Sequence, residues 1–277
     1  MSYTAAARKE IHINHLHAGY RENALPMLFK KVLNVFLLLC LALPAECSFA
    51  SAEKDGFVEP KKIIFWAWER PEDLSILDSG TAEVASLAAT LKVQKKRLKV
   101  FTRQQPLKLP AKTRRITVIR IETDRKSMLA PFSGEMAEII DDVAGAASAG
   151  HLQIDFDARV SERQFYRELL LAIRKKLPEA VHISITALAS WCMHDRWLEG
   201  LPVDEVVPMV FRMGPEGPAI LRSLEARGSF AEPMCRTSIG ISTDEPVKRL
   251  TNGKRVYVFS PTGWNRDSVK SLLQEVE

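Results

Sequence analysis

The sequence predicts an α/β chain of the (β/α)8 type, a single TIM-barrel-like domain after an N-terminal signal segment. Three observations carry that expectation. Short apolar, β-branched runs recur eight times between Ile63 and Pro261, and helical patterns fall between several of them. No glycine-rich turn follows the first run, as a dinucleotide-binding doubly wound sheet would require. Eight strands in about 225 residues sit near the lower size for such a barrel, with an open doubly wound sheet as the competing architecture.

Residues 1–52 read as an N-terminal extension and a secretory signal peptide. From Met27 the chain runs MLFKKVLNVFLLLCLALPAECSFASA: Lys30 and Lys31 form a basic start, Val32 to Leu43 an apolar core, and Ala50-Ser51-Ala52 a small-x-small cleavage pattern. The residues before Met27 are polar and unpatterned, so Met27 is the expected working start. The apolar run is too short to span a bilayer comfortably. The mature chain is therefore expected to be exported, periplasmic or extracellular, with no permanent membrane span. Residues 53–277 then form one barrel domain, since no Pro/Gly linker or internal repeat divides them.

The strands are expected, in order, at Ile63–Glu69, within Ala82–Val93, at Arg115–Glu122 and at Leu152–Asp157. The remaining four are Val181–Leu188, Val206–Met213, Thr237–Thr243 and Arg255–Pro261. After the second strand, FTRQQPLKLP is Pro-broken and polar, which predicts an irregular crossover. Ser133–Ser148 is expected to be a helix capped by Ser133, with Met136, Ile139, Ile140 and Val143 at helical spacing. Ser161–Leu177 is a second, capped by Ser161, with Phe165, Leu169, Ala172, Ile173 and Leu177 as its apolar stripe and Pro178 as its stop. Ala219–Arg227 and Asp267–Val276 supply the later helices.

Charge and composition exclude some functions. The formal net charge is +5, and loss of residues 1–52 removes five basic and three acidic residues to leave +3. The densest basic run, Lys92–Lys99, has no interleaved aromatics and reads as a solvated face, so no nucleic-acid partner is expected. His151, His182 and His194 lack metal-like spacing, and no nucleophile elbow, HExxH or P-loop occurs, so neither metal nor cofactor is expected. Cys192 and Cys235 remain after signal removal. An oxidising compartment would permit their pairing, while the strand layout sets them at opposite ends of the fold.

Barrel chemistry sits at the carboxyl ends of the strands, and residues two apart on a strand share a face. Asp155 and Asp157 are thus expected together at the mouth, with Ile154 and Phe156 packing against helices. The same end collects Arg120 and Glu122, Trp68 and Glu69, Arg159, Trp191, Arg212 and Trp264. Carboxylates, arginines and tryptophans around one rim suit a sugar: aromatic faces stack on a pyranose and charged groups take its hydroxyls. Glycoside hydrolysis needs a carboxyl raised in pKa and an ionised partner, which two adjacent aspartates produce by repulsion.

IFWAWERPEDL, QIDFDA, SITALASWC and VVPMVFRMG together resemble a family of secreted bacterial proteins grouped as a domain of unknown function. More distantly, QIDFDAR is similar to the fourth-strand motif DxxDxDxE of chitinase-type (family eighteen) glycoside hydrolases. Asp155 and Asp157 fall on its second and third aspartates, whereas Leu152 and Arg159 replace its first aspartate and its proton-donating glutamate. That resemblance implies a sugar site floored by a tryptophan after the last strand, here Trp264. Since arginine cannot donate a proton at working pH, the acid would come from Glu69, Glu122, Asp244 or Asp157 itself. The expected function is a glycoside-hydrolase-like barrel acting on a polysaccharide or cell-envelope glycan. Asp155, Asp157, Glu122 and Glu69 would be catalytic, with Trp68, Arg120, Arg159, Trp191, Arg212 and Trp264 binding substrate. The alternative is a non-catalytic glycan- or envelope-binding barrel that has lost its acid.

Overall fold

A computed structural model describes residues 63–77, 82–193, 195–245, 250–251 and 253–276. The signal segment, Cys40, Cys47, the Met27 start and His194 lie outside the described residues. The strands are β1 (Ile63–Ala67), β2 (Glu72–Asp73), β3 (Glu83–Gln94), β4 (Arg97–Thr102), β5 (Leu107–Lys108) and β6 (Arg114–Thr123). They continue as β7 (His151–Asp155), β8 (His182–Leu188), β9 (Glu205–Met209), β10 (Ser238–Ser242) and β11 (Arg255–Phe259). Eight of these, β1, β3 and β6 to β11, pair parallel in sequence order, and β1 joins both β3 and β11 to close the barrel.

Alternation along each strand sorts the core. On β7, Leu152 and Ile154 pack outward beneath the helices, and Phe156 just beyond them meets Tyr166 with ring centroids 5.1 Å apart. Gln153 and Asp155 turn inward on the other face of the pleat. A second cluster, built on Ile64, Trp66, Val118, Val207 and Tyr257, fills the barrel interior.

The helices are α1 (Ser133–Ala146), α2 (Arg163–Lys176), α3 (Gly217–Arg227) and α4 (Arg266–Val276). Neither predicted serine cap operates. Pro131 starts a 3-10 turn over Ala130–Phe132, so Ser133 is already inside helical geometry. Ser161 likewise lies inside the turn Val160–Glu162, where the Arg159 N–H donates to Glu162 Oε2 at 2.8 Å. Gly228 ends α3 at φ +73°, a left-handed position that glycine adopts without strain.

Among the described residues, the crossovers from β1 to β3, from β3 to β6 and from β8 to β9 contain no α-helix. Past Ser86, β3 outlasts β1 and folds back on β4 through a turn holding Lys95 at φ +55°. The basic run thus forms an exposed hairpin tip, and β5 after it pairs with β2 in a separate two-stranded sheet. After β8 the chain makes one 3-10 turn, Ala189–Cys192, in place of an α-helix.

That turn corrects the cysteine layout. Cys192 and Cys235 form a disulfide with Cα atoms 6.0 Å apart. Neither residue lies on a strand, so strand ends do not fix their separation: the Glu232 N–H donates to the Cys192 carbonyl at 3.1 Å and draws the two loops together in the outer core. The bond closes a loop of sequence separation 43, for which chain entropy gives about 3–4 kcal/mol. Urea unfolding of a Cys235→Ser variant, or of the reduced chain, should show a loss of that order. An unchanged midpoint would contradict the bridge.

Candidate functional site

The carboxyl ends of the strands surround a cleft of about 480 Å³. Its floor is Trp66, whose Nε1–H donates to Gln153 Oε1 at 2.7 Å in the barrel interior. The indole fits because residue 240 on β10 is glycine: a Cβ there would stand 2.8 Å from Trp66 Cη2. Phe211 and Phe259 stack at 5.6 Å with ring planes 8° apart, and Trp68 meets Phe259 edge-on at 6.3 Å. Met209, Leu188 and Ile220 complete an apolar wall.

Against that wall stand the two acids of β7 and the loop after it. Asp155 is buried; Thr186 donates to its Oδ1 at 2.7 Å and Arg120 approaches its Oδ2 at 3.6 Å. Burial raises its pKa above the usual range, while Arg120 and Thr186 work the other way. Asp157 opens into the cleft and makes no hydrogen bond or ion pair with any described residue. The enclosing walls, then the negative charge of Asp155, push its carboxyl from 3.8 up to about 6, with Arg120 opposing. A carboxyl poised there holds a proton in weak acid and releases it near neutrality, which suits a general acid.

The other expected site residues divide. Arg120 lines the cleft with its guanidinium 5.7 Å from the Trp68 ring. Arg212 lines it too, at φ +54°, and is paired with Asp244 at 2.5 Å and with Glu245. Glu122 does not line the cleft; Lys92 at 3.0 Å and Arg120 at 3.3 Å occupy its carboxylate. Glu69 is turned to the β4–β5 loop, accepting from the Gln104 and Gln105 N–H groups at 3.0 and 3.2 Å.

Three binding assignments are corrected. Arg159 reaches Glu162 and the Asp124 carbonyl, outside the cleft. Trp191 is buried against Trp197, ring centroids 4.8 Å apart, under the helix layer. Trp264 is buried behind β1, its Nε1–H donating to the Trp66 carbonyl at 2.7 Å and its ring edge-on to Phe65. It supports the strand that carries the floor and does not itself form that floor. Phe211 and Phe259 were missed. The signal for Phe259 was available, because it shares a face with the inward Tyr257 two residues before.

The opposite end of the barrel is a polar plug built from the first residues of the strands. Glu83 takes Arg114 at 3.2 Å and Arg255 at 3.1 Å. Glu205 Oε1 takes Arg255 at 3.1 Å and Ser238, and its Oε2 accepts from Tyr257 at 3.0 Å. His151 and His182 stand beside Glu205, ring centroids 4.4 Å apart. Burial, then His182, drives the His151 pKa down to about 3, so its ring is neutral.

No family model matches this chain, and neither the curated proteins nor the solved structures contain a match. The site's geometry alone carries the functional argument.

Proposed function

We propose that the barrel mouth is a carbohydrate-binding cleft of an exported protein, and that Asp157 is the proton donor for cleaving a glycosidic bond within it. The observation that carries this reading is the Asp157 carboxyl, open to the cleft beside an aromatic wall with no partner among the described residues, where burial raises its pKa to about 6. Trp68 and the Phe211–Phe259 pair offer faces for pyranose rings. Arg120 and Arg212 offer donors for sugar oxygens or an anionic substituent. As the bond from the anomeric carbon to the leaving oxygen breaks, Asp157 gives that oxygen its proton. A solvent water adds to the anomeric carbon and returns a proton to the Asp157 carboxylate. Burial, then the charge of Asp155, keeps the proton on Asp157 in weak acid. The Cys192–Cys235 bridge supports an oxidising compartment, and so export.

One observation favours a second reading, glycan binding without cleavage. Among the described residues lining the cleft, the only carboxyls are Asp155 and Asp157, two apart on one chain segment, and none faces them from the far wall. A hydrolase with two separate carboxylates places them across the bond.

Calorimetric titration of the full chain against a panel of bacterial polysaccharides, paired with reducing-end assays, tests both readings. At least one glycan should bind, and Trp68→Ala should weaken it about tenfold, the order of one lost stacking contact. Absence of binding across the panel would sink the carbohydrate reading. Binding with no released ends would leave only the second.

A further inference from the structure

We propose that the amino-terminal end of the barrel holds a divalent transition-metal ion, Zn²⁺ by its ligand class, on His151, His182 and Glu205. This site is independent of the cleft at the other end. His151 and His182 open the neighbouring strands β7 and β8 and are directly paired across them. Glu205 opens β9 in register with Ser184, two residues along the same face from His182, which sets its carboxylate beside the histidine pair. The potential ligand atoms all lie within 4.8 Å of one another.

The spacing suits a four-coordinate ion. With metal–ligand bonds of about 2.0–2.2 Å, tetrahedral geometry sets ligand atoms about 3.3–3.6 Å apart. His182 Nε2 and Glu205 Oε2 are already 3.3 Å apart, and His151 Nε2 is 3.8 Å from the same oxygen. Two imidazoles and one carboxylate form a donor set that favours zinc over calcium or magnesium.

The surroundings leave these atoms free to coordinate. Arg255 and Ser238 take Glu205 Oε1, which orients Oε2 toward the two rings. Oε2 accepts from Tyr257, and its other partner is His182 Nε2 at 3.3 Å, the contact that an ion between them would replace. The Ser184 hydroxyl lies 2.9 Å from His151 Nε2 but also reaches the Leu152 carbonyl at 3.5 Å, so its rotation releases the ring nitrogen. Arg255 would repel a cation, yet Glu83 at 3.1 Å offsets that charge. The His182 side chain is 43% exposed, which gives an ion an entry path and water a fourth position. An ion here would tie the beginnings of three consecutive strands together.

The test uses the full chain with His12, His15 and His17 replaced by alanine and Cys40 and Cys47 by serine, so that His151, His182 and His194 are the histidines left, and treated with a chelator before titration. Calorimetry with Zn²⁺ should give one ion per chain. Tm should rise by roughly 5–10 °C at a hundredfold excess over Kd. Co²⁺ should give the visible bands of a four-coordinate site. His182→Ala should lose more than about 100-fold in affinity, beyond what losing an outer partner of a ligand costs, while its metal-free melt stays cooperative at a Tm lowered by the lost hydrogen bond to Glu205. His151→Ala should behave alike wherever it folds. No uptake by the parent, or equal uptake by His182→Ala, would overturn the site.

Discussion

Replacing Asp157 by asparagine should cut glycan turnover by about a hundred- to ten-thousandfold, the range of a lost general acid, with glycan affinity retained. The amide keeps the side chain's size but cannot give up a proton. In the wild type the donating form is lost as pH rises through about 6, so turnover should fall along that limb. The same raised pKa makes a stability prediction. The protonated carboxyl suits the folded cleft, so its stabilising contribution is full below the ordinary value of 3.8 and is lost as pH climbs to about 6. Above that, the ionised carboxylate is a standing cost to folding. Asparagine has no such cost, and above pH 7 the variant should be the more stable chain, by about 1 kcal/mol once water reaching the open cleft is allowed for. Turnover rates and urea midpoints at pH 5 and pH 8 check both halves. An active variant would end the acid role. A variant less stable at pH 8 would mean that Asp157 is a structural support.

The strands were legible because their signal is local. Alternation with period two, as in Leu152 and Ile154 against Gln153 and Asp155, fixes which side chains meet the helices and which meet the interior. That rule also placed Arg120 and Asp155 together. It fails beyond the strand ends. Trp191 and Trp264 follow strands, so the turn decides where their rings point, and both turn into packing. Helix starts misled for a related reason: Pro131, and the pairing of the Arg159 N–H with Glu162, begin the turns before the serines. The histidines were hidden by a different limit. Metal spacing rules read neighbours along one element, whereas His151 and His182 become neighbours only when parallel strands align.

The plug beneath the barrel should prove the most fragile part of the structure. Arg255→Leu should cost about 3–5 kcal/mol, the usual penalty for stranding a buried charge. Arg255 bridges Glu83 and Glu205, each at 3.1 Å and each almost fully buried. Glu83 would keep Arg114 at 3.2 Å, so the loss falls mainly on Glu205. Burial works against ionisation of that carboxyl; the His182 hydrogen bond, Arg255 and Ser238 outweigh it and bring its pKa from 4.5 down to about 2. Because the folded value is depressed, the stabilisation is present above pH 4.5 and lost as pH falls toward 2. Without Arg255 the folded value rises, so the gap between wild type and variant should be widest above pH 4.5 and shrink in acid. Adding Glu205→Gln should return part of the loss, since it removes the charge that lost its partner. Urea unfolding at pH 7 and pH 3 measures the gap. A difference under about 1 kcal/mol at pH 7, or one that widens at pH 3, would show that the guanidinium does not hold the plug together.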